Sequence, residues 1–148
     1  MAKGKHIFET ILVAVDDSKD AQLAFDYAIK RAKLENSKLY IVSILESDEL
    51  NIYQALSKDY IHGERKNLEK HIQEYVKEAK KRGVKHVYPI VAEGDPGNTI
   101  VQEVIPNLKD KPQVLIIGSL AKTGPRKYLG SQAAYMAKYA PISVLVVR

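Results

Sequence analysis

The sequence contains no cysteine and no tryptophan among its 148 residues. Without thiols, the chain has no disulfide framework, no thiolate nucleophile and no cysteine-ligated metal site, and it suits a reducing compartment. Its apolar runs, such as 11–15, 114–117 and 144–147, are far shorter than the ~20 residues of a membrane-spanning helix. No apolar stretch typical of a signal peptide follows the basic residues near the start. We therefore expect a cytoplasmic protein that does not cross a membrane.

The composition is that of an ordinary globular domain, with 45% hydrophobic and 28% charged residues. A chain of this length can fold around a single hydrophobic core, so we expect one domain over residues 1–148. The net charge is +5, but the basic residues at 77–85 mix with glutamates and fall where cations stabilise the carboxyl end of a helix. Because the charge is dispersed and the tyrosines are scattered, we expect no nucleic-acid partner.

Near-continuous apolar runs alternate with segments of helical spacing. The runs predict buried strands at 11–15, 39–45, 84–91, 114–117 and 142–147. Ser18 and the pair Asp95-Pro96 predict helix starts, while Gly83 and Pro106 predict helix ends. A last short helix is predicted at 131–140.

Alternation of this kind indicates βαβ units with right-handed crossovers. The fold class predicted is therefore α/β, a doubly wound parallel sheet with helices on both faces. The strand from Ile142 to Val147 is expected at an edge, where unpaired backbone groups favour antiparallel pairing with a second copy. This edge predicts a homodimer.

Ligands of open α/β sheets bind beyond the carboxyl ends of the strands, where the strand order reverses. Asp16 follows the first predicted strand, and a basic, glycine-punctuated segment runs from Gly118 to Ser131 after the fourth. Glycines let backbone N–H groups approach an anion, and the start of a helix offers unpaired amides. Phosphate binding and a plain connection with a helix cap both fit this segment. Neither a Walker A loop nor a Gly-x-Gly-x-x-Gly motif is present.

Other chemistries fit the residues less well. The pair Asp16-Asp17, together with Asp95, resembles the magnesium-binding acids of receiver domains, but the chain ends without that class's last helix. Asp17 is interpreted as a solvated turn residue. His62 and His71 lie on opposite faces of one predicted helix and cannot share a metal ion, so each histidine is interpreted as a surface residue. No Gly-x-Ser-x-Gly elbow supports a hydrolase.

Three segments together resemble the universal stress protein family. They are the opening strand and acidic turn at 11–18, the strand end at 91–96, and the closing segment from Gly118 through Gly130-Ser131 to Ala140-Pro141 and the final strand. The resemblance covers almost the whole chain. The closing segment is its most specific part.

The resemblance implies a five-stranded, Rossmann-like three-layer sandwich of the adenine nucleotide alpha hydrolase type, often a homodimer, that binds ATP with magnesium. Asp16 would meet the adenine or ribose, Ala14, Val15 and Ile44 would contact the base, and Gly118, Gly130 and Ser131 would meet ribose and phosphates. The remaining implied cofactor-binding residues are Ile117, Ala121 and Gln132. The glycine pattern departs from the family's at Ala121, which replaces a glycine, and eight rather than nine residues separate it from Gly130.

Two functions follow as hypotheses. The first is an ATP-binding switch or sensor in stress adaptation, without catalysis beyond a slow ATPase, since no positioned general base is evident. The alternative is a nucleotide-free dimeric interaction protein of the same fold, which the altered glycine loop favours.

Overall fold

The computed structural model describes residues 8–46, 58–119 and 129–148, with side chains from residue 62 onward in the second range. Within these ranges, five strands alternate with four helical segments. The strands are β1 (Thr10–Ala14), β2 (Lys38–Glu46), β3 (His86–Gly94), β4 (Val114–Gly118) and β5 (Ser143–Val147). The helices are α1 (Lys19–Glu35), α2 (Lys58–Lys81), α3 (Pro96–Thr99, Ile100–Val104 and Ile105–Asn107) and α4 (Ser131–Tyr139).

The strands form one parallel sheet in the order β3-β2-β1-β4-β5. The chain builds outward from β1 in one direction and then returns to add β4 on its other side. This reversal between β1 and β4 confirms the predicted doubly wound α/β fold, and it places β5 at an edge of the sheet as expected.

Two apolar cores lie on opposite faces of the sheet. Alternate residues of β1 supply both, with Ile11 and Val13 on one face and Leu12 on the other, each fully buried. The first face packs against α1 and α2, and the second against α3 and α4. Burial on both faces explains why the strands are continuous apolar runs.

The helix starts confirm the capping predictions. The Ser18 hydroxyl accepts from the backbone N–H of Ala21 at 3.1 Å, which caps α1. The Asp95 carboxylate accepts from the N–H of Asn98 at 3.3 Å, and Pro96 takes the first turn of α3. Among the described residues, no helix is both long and apolar enough to cross a membrane.

Several predicted boundaries are displaced by one to three residues, including the end of β3, which lies at Gly94 rather than at residue 91. The helix that Pro106 was expected to end continues to Asn107, because α3 contains a wider π-helical turn at Ile100–Val104 that accommodates the proline. Strand β3 begins at His86 rather than at residue 84, because Val84 lies in the turn that follows α2. Gly83 has a φ of 106°, which turns the chain so that the Val84 N–H reaches the Ala79 carbonyl at 3.0 Å.

Candidate functional site

The carboxyl ends of β1 and β4 form the candidate site, since the strand order reverses between them. Val13 is paired with Ile116, so Ala14 and Ile117 are the next residues of these neighbouring strands. Ile44 follows Val42, the partner of Ala14, on the same face of β2. Ala14, Ile44 and Ile117 all belong to the core beneath α3 and α4, so the structure brings these three predicted residues to one face of the sheet. Ala14 and Ile44 are half-buried there, whereas the Ile117 side chain is only 2% exposed.

The side chain of Val15 lies on the other face. It is 4% exposed and packs in the core beneath α1 and α2, while its backbone N–H donates to the Val42 carbonyl at 2.9 Å. The structure therefore separates the Val15 side chain from the face shared by Ala14, Ile44 and Ile117 and leaves only its backbone at this edge.

A sharp acidic turn leads from β1 into α1. Asp16 is exposed, and its Oδ1 atom accepts from the backbone N–H of Ser18 at 3.0 Å. Asp17 adopts a left-handed conformation with a φ of 67°, which aspartate tolerates better than most residues. The turn thus presents Asp16 to solvent at the carboxyl end of β1.

Gly118 brings the end of β4 against the first turn of α1. A Cβ atom at this position would lie 2.6 Å from the Asp20 carbonyl carbon and 2.8 Å from the Ala21 nitrogen. The next residue, Ser119, is buried, and its hydroxyl donates to the Asp20 carboxylate at 3.0 Å. Asp20 is 2% exposed and was not predicted as a site residue, although its position in the first turn of α1 is one that favours acids.

The two ends of the segment between β4 and α4 meet. The Gly130 N–H donates to the Ser119 carbonyl at 3.1 Å, and α4 begins at the following residue, Ser131, which is exposed. Gly130 is the N-cap residue and supplies no capping side chain, in contrast to Ser18 of α1 and Asp95 of α3. The predicted site residue Ala121 lies outside the described residues.

Gln132 turns toward α3. Its side-chain oxygen accepts from the Gly97 N–H at 2.6 Å, and its nitrogen donates to Asp95 at 2.8 Å. The side-chain amide of this predicted cofactor residue therefore joins the first turn of α4 to the start of α3 and leaves the backbone N–H of Gln132 at the amino end of α4.

A cluster that sequence reasoning missed lies on the opposite side of the acidic turn. The Asp17 Oδ1 atom accepts from the Tyr75 hydroxyl and contacts His71 Nε2 at 2.8 Å. Asp17 is a solvated turn residue, as interpreted, since more than half of its side chain is exposed, but its carboxylate also binds two side chains of α2, which the sequence did not indicate. These contacts span more than fifty positions of the chain, and no local motif signals them.

The cluster also shifts the protonation of its members. Burial raises the pKa of the Asp17 carboxyl, but the hydrogen bonds from Tyr75 and His71 outweigh it and hold this pKa below its usual range. The hydrogen bond to Asp17 raises the pKa of His71. Burial, together with the bond to Asp17, raises the pKa of Tyr75.

A cavity of about 220 Å³ opens beside the cluster. Phe25 and Gln22 of α1 line it together with His71, Tyr75 and two glutamates of α2. Within the described parts of the chain, no three histidine, aspartate or glutamate side chains are arranged to hold a metal ion.

Comparison with known proteins assigns the chain to a family, since the model of the universal stress protein family matches residues 8–148. The chain belongs to the universal stress protein family. A Staphylococcus haemolyticus protein named as belonging to the same family is 28% identical over 142 residues, which cover 95% of this chain and 85% of the relative.

Solved universal stress proteins share the fold. One, in complex with cAMP, is 22% identical with a TM-score of 0.69, covering 95% of this chain and 97% of its own. Another, from Archaeoglobus fulgidus in complex with dAMP, is 21% identical with a TM-score of 0.64, covering 96% and 99% respectively. At these identities the likeness concerns the fold.

Proposed function

We propose that this universal stress protein binds an adenine nucleotide, ATP with magnesium, at the carboxyl ends of β1 and β4, and that it acts as a switch or sensor in stress adaptation. The observation that carries the proposal is the start of α4. It is a helix amino end without a capping side chain, and it lies next to the sheet's reversal point.

The phosphates would bind at this helix start. The N–H groups of Ser131, Gln132 and Ala133 have no helical carbonyl to donate to, since the first bond of the helix runs from Ala134 to the Gly130 carbonyl at 2.8 Å. Such amides, with the positive end of the helix dipole, attract anions. The exposed Ser131 adds a hydroxyl group.

The base would bind on the apolar side of the same edge. The half-buried Ala14 and Ile44 provide an apolar surface, which the buried Ile117 supports from within the core. Asp16 offers a carboxylate to the adenine amino group or to the ribose hydroxyls. Gly118 lies at the same edge, where the absence of a side chain lets β4 approach the backbone of the first turn of α1. The solved universal stress proteins in complex with cAMP and dAMP support an adenine nucleotide as the ligand class.

Isothermal titration calorimetry with ATP and magnesium tests the proposal on wild-type protein and two variants. In Gly130→Asp, the new carboxylate can accept from the free amides of α4, so the helix stays capped while phosphate is repelled. Gly130→Asn caps equally well without the charge. We expect wild type to bind, Gly130→Asp to lose binding, and Gly130→Asn to retain more of it than Gly130→Asp.

Two results would count against nucleotide binding. One is the absence of heat with wild-type protein, combined with no nucleotide released when freshly purified protein is denatured. The other is equal affinity in wild type and Gly130→Asp. A phosphate-release assay on the same samples measures turnover, which we expect to be slow or absent.

We also propose a homodimer through β5. Its four residues from Val144 to Val147 are half-buried in the single chain, and within the described residues β5 pairs only with β4, so its outer edge has room for a second copy. Val144→Lys places a charge on this edge and is expected to give monomers in sedimentation experiments. Ile90→Lys makes the same change on β3, the other edge strand, and serves as the matched control. Dimers that persist in Val144→Lys would refute this interface.

The alternative function also depends on this dimer, since it is that of a nucleotide-free dimeric interaction protein. If the protein acts through its dimer surface without nucleotide, Gly130→Asp will leave the oligomeric state and any activity of the protein unchanged. Loss of activity in Gly130→Asp, with the dimer intact, would favour the nucleotide switch.

A further inference from the structure

Helix α2 holds the acidic turn that presents Asp16. The Tyr75 hydroxyl donates to Asp17, His71 Nε2 lies 2.8 Å from the same carboxylate oxygen, and Gln22 of α1 donates to the Tyr75 oxygen at 2.9 Å. One carboxylate therefore links the turn after β1 to α2 directly and to α1 through Tyr75.

The holding residues are themselves well fixed. Tyr75 is 8% exposed, and its ring meets that of Phe25 edge to face, with centroids 5.0 Å apart. The His71 ring packs edge to face on Tyr75 at 5.5 Å. Asp17 is thus anchored to a packed aromatic group, even though more than half of its own side chain is exposed.

The geometry of Asp16 depends on this anchor. Asp16 precedes Asp17, and Ser18 follows it. The Asp16 carboxylate accepts from the backbone N–H of Ser18 and so spans Asp17. Asp17 between them has a left-handed backbone that costs free energy and needs compensation from its surroundings. Releasing the Asp17 side chain would let this short turn relax and change the direction of the Asp16 carboxylate.

We propose that His71 and Tyr75 are positioning residues for the nucleotide site, which fix Asp16 by holding Asp17 from the opposite side of the turn. The inference rests on the proposed function, since it concerns the same site. Neither residue touches the ligand; both act through the turn.

The inference predicts a pH dependence, because His71 titrates. The charged groups facing His71 are Asp17 from the turn and Glu74 from its own helix, at 3.3 Å from Nδ1; Glu78 lines the same cavity, and the α1 residues there are neutral. The pKa of His71 is raised and that of Asp17 lowered, so both carry charge between the two values. As the pH rises through the pKa of His71, this residue loses its charge and no longer attracts the Asp17 carboxylate. The turn is then held less firmly, and nucleotide affinity should fall.

Calorimetry with ATP and magnesium at about pH 5.5 and about pH 8.5, on either side of the ordinary histidine pKa, tests this. ATP itself titrates in this range, but this effect is the same for every variant. The informative quantity is therefore the difference in ATP affinity between a variant and wild type at each pH. We expect His71→Gln to weaken binding about threefold at the lower pH and little at the higher one, as for a partly exposed ion pair. Tyr75→Phe keeps the packed ring and should weaken binding about threefold at both values.

Asp17→Asn is the decisive variant. Asparagine tolerates the left-handed backbone and still accepts a hydrogen bond, so the turn persists while the charge is removed. The affinity of Asp17→Asn for ATP should depend on pH no more than the affinity of His71→Gln does. His86→Gln and Tyr27→Phe, at exposed positions away from the turn, are matched controls and should behave like wild type.

The outcomes are distinguishable. ATP binding by wild type with the same affinity and pH profile in His71→Gln, Tyr75→Phe and Asp17→Asn overturns this inference and leaves the proposed function intact. Absence of ATP binding in wild type overturns both. Melting temperatures measured on every variant check that weaker binding does not reflect unfolding, and a purely structural role would not produce the pH difference.

Discussion

Substitution of Gly118 by alanine tests the contact that shapes the candidate site. The new Cβ atom would lie 2.6 Å from the Asp20 carbonyl carbon and 2.8 Å from both the Asp20 oxygen and the Ala21 nitrogen. All three are backbone atoms of the first turn of α1, so no side chain can rotate away, and either β4 or α1 must shift. Overpacking of this kind costs about 1–3 kcal/mol, and we expect the upper part of that range. For a chain of this size, about 3 kcal/mol lowers the melting temperature by about 6–12 °C.

Gly63→Ala is the matched control. Gly63 lies within α2, and a Cβ atom there would meet nothing within 4 Å. Alanine in a helix is more stable than glycine by about 0.5–1 kcal/mol, so this variant should melt slightly above wild type. Thermal and urea unfolding followed by circular dichroism measures both variants. If Gly118→Ala melts at or above the wild-type temperature, β4 and α1 do not make the close contact described here.

Three further predictions concern stability. Ser119→Ala removes a donor from the buried Asp20 carboxylate and should lower the free energy of unfolding by about 1–3 kcal/mol in urea titrations; an unchanged midpoint would contradict the bond. Gln132→Ala removes both links between α4 and the start of α3, with an expected loss of about 1–2 kcal/mol, and hydrogen exchange should rise at the Gly97 amide. The stability advantage of wild type over His71→Gln should stay below about 1 kcal/mol and be fully present below about pH 6.5, since the pKa of His71 is raised. This stability advantage should shrink as the pH rises through that pKa. Urea titrations at several pH values measure it, and an advantage that grows with pH would refute the ion pair.

The fold follows closely from local sequence signals. Continuous apolar runs identify buried parallel strands because both faces of the sheet are covered. Ser18 and Asp95 mark helix starts because their side chains bond to backbone amides within the next turn, an interaction contained in a few consecutive residues. The helix end predicted at Pro106 is wrong by one residue, because the sequence does not indicate the π-helical turn that precedes the proline.

The candidate site was predicted less completely. Ala14, Ile44 and Ile117 come together because strand alternation and register determine which face each side chain occupies. The same alternation puts the Val15 side chain on the opposite face, a consequence that a motif alone does not convey.

Gly118 was predicted for its approach to a ligand, and the structure shows a different reason for a glycine here, since its closest neighbours are backbone atoms of α1. The partners Asp20 and His71 escaped prediction. Their contacts join residues distant in the chain, and such pairings depend on how helices pack rather than on local pattern.

The hydrogen bond between Ser119 and Gly130 bears on how this region tolerates change in length. This bond joins the two ends of the connection and holds the residue before α4 next to the end of β4. The entropic cost of closing a loop changes only slowly with its length, so the loss of one residue relative to the family's glycine pattern is thermodynamically inexpensive. We therefore expect grafts of slightly longer or shorter loops between these two residues to fold.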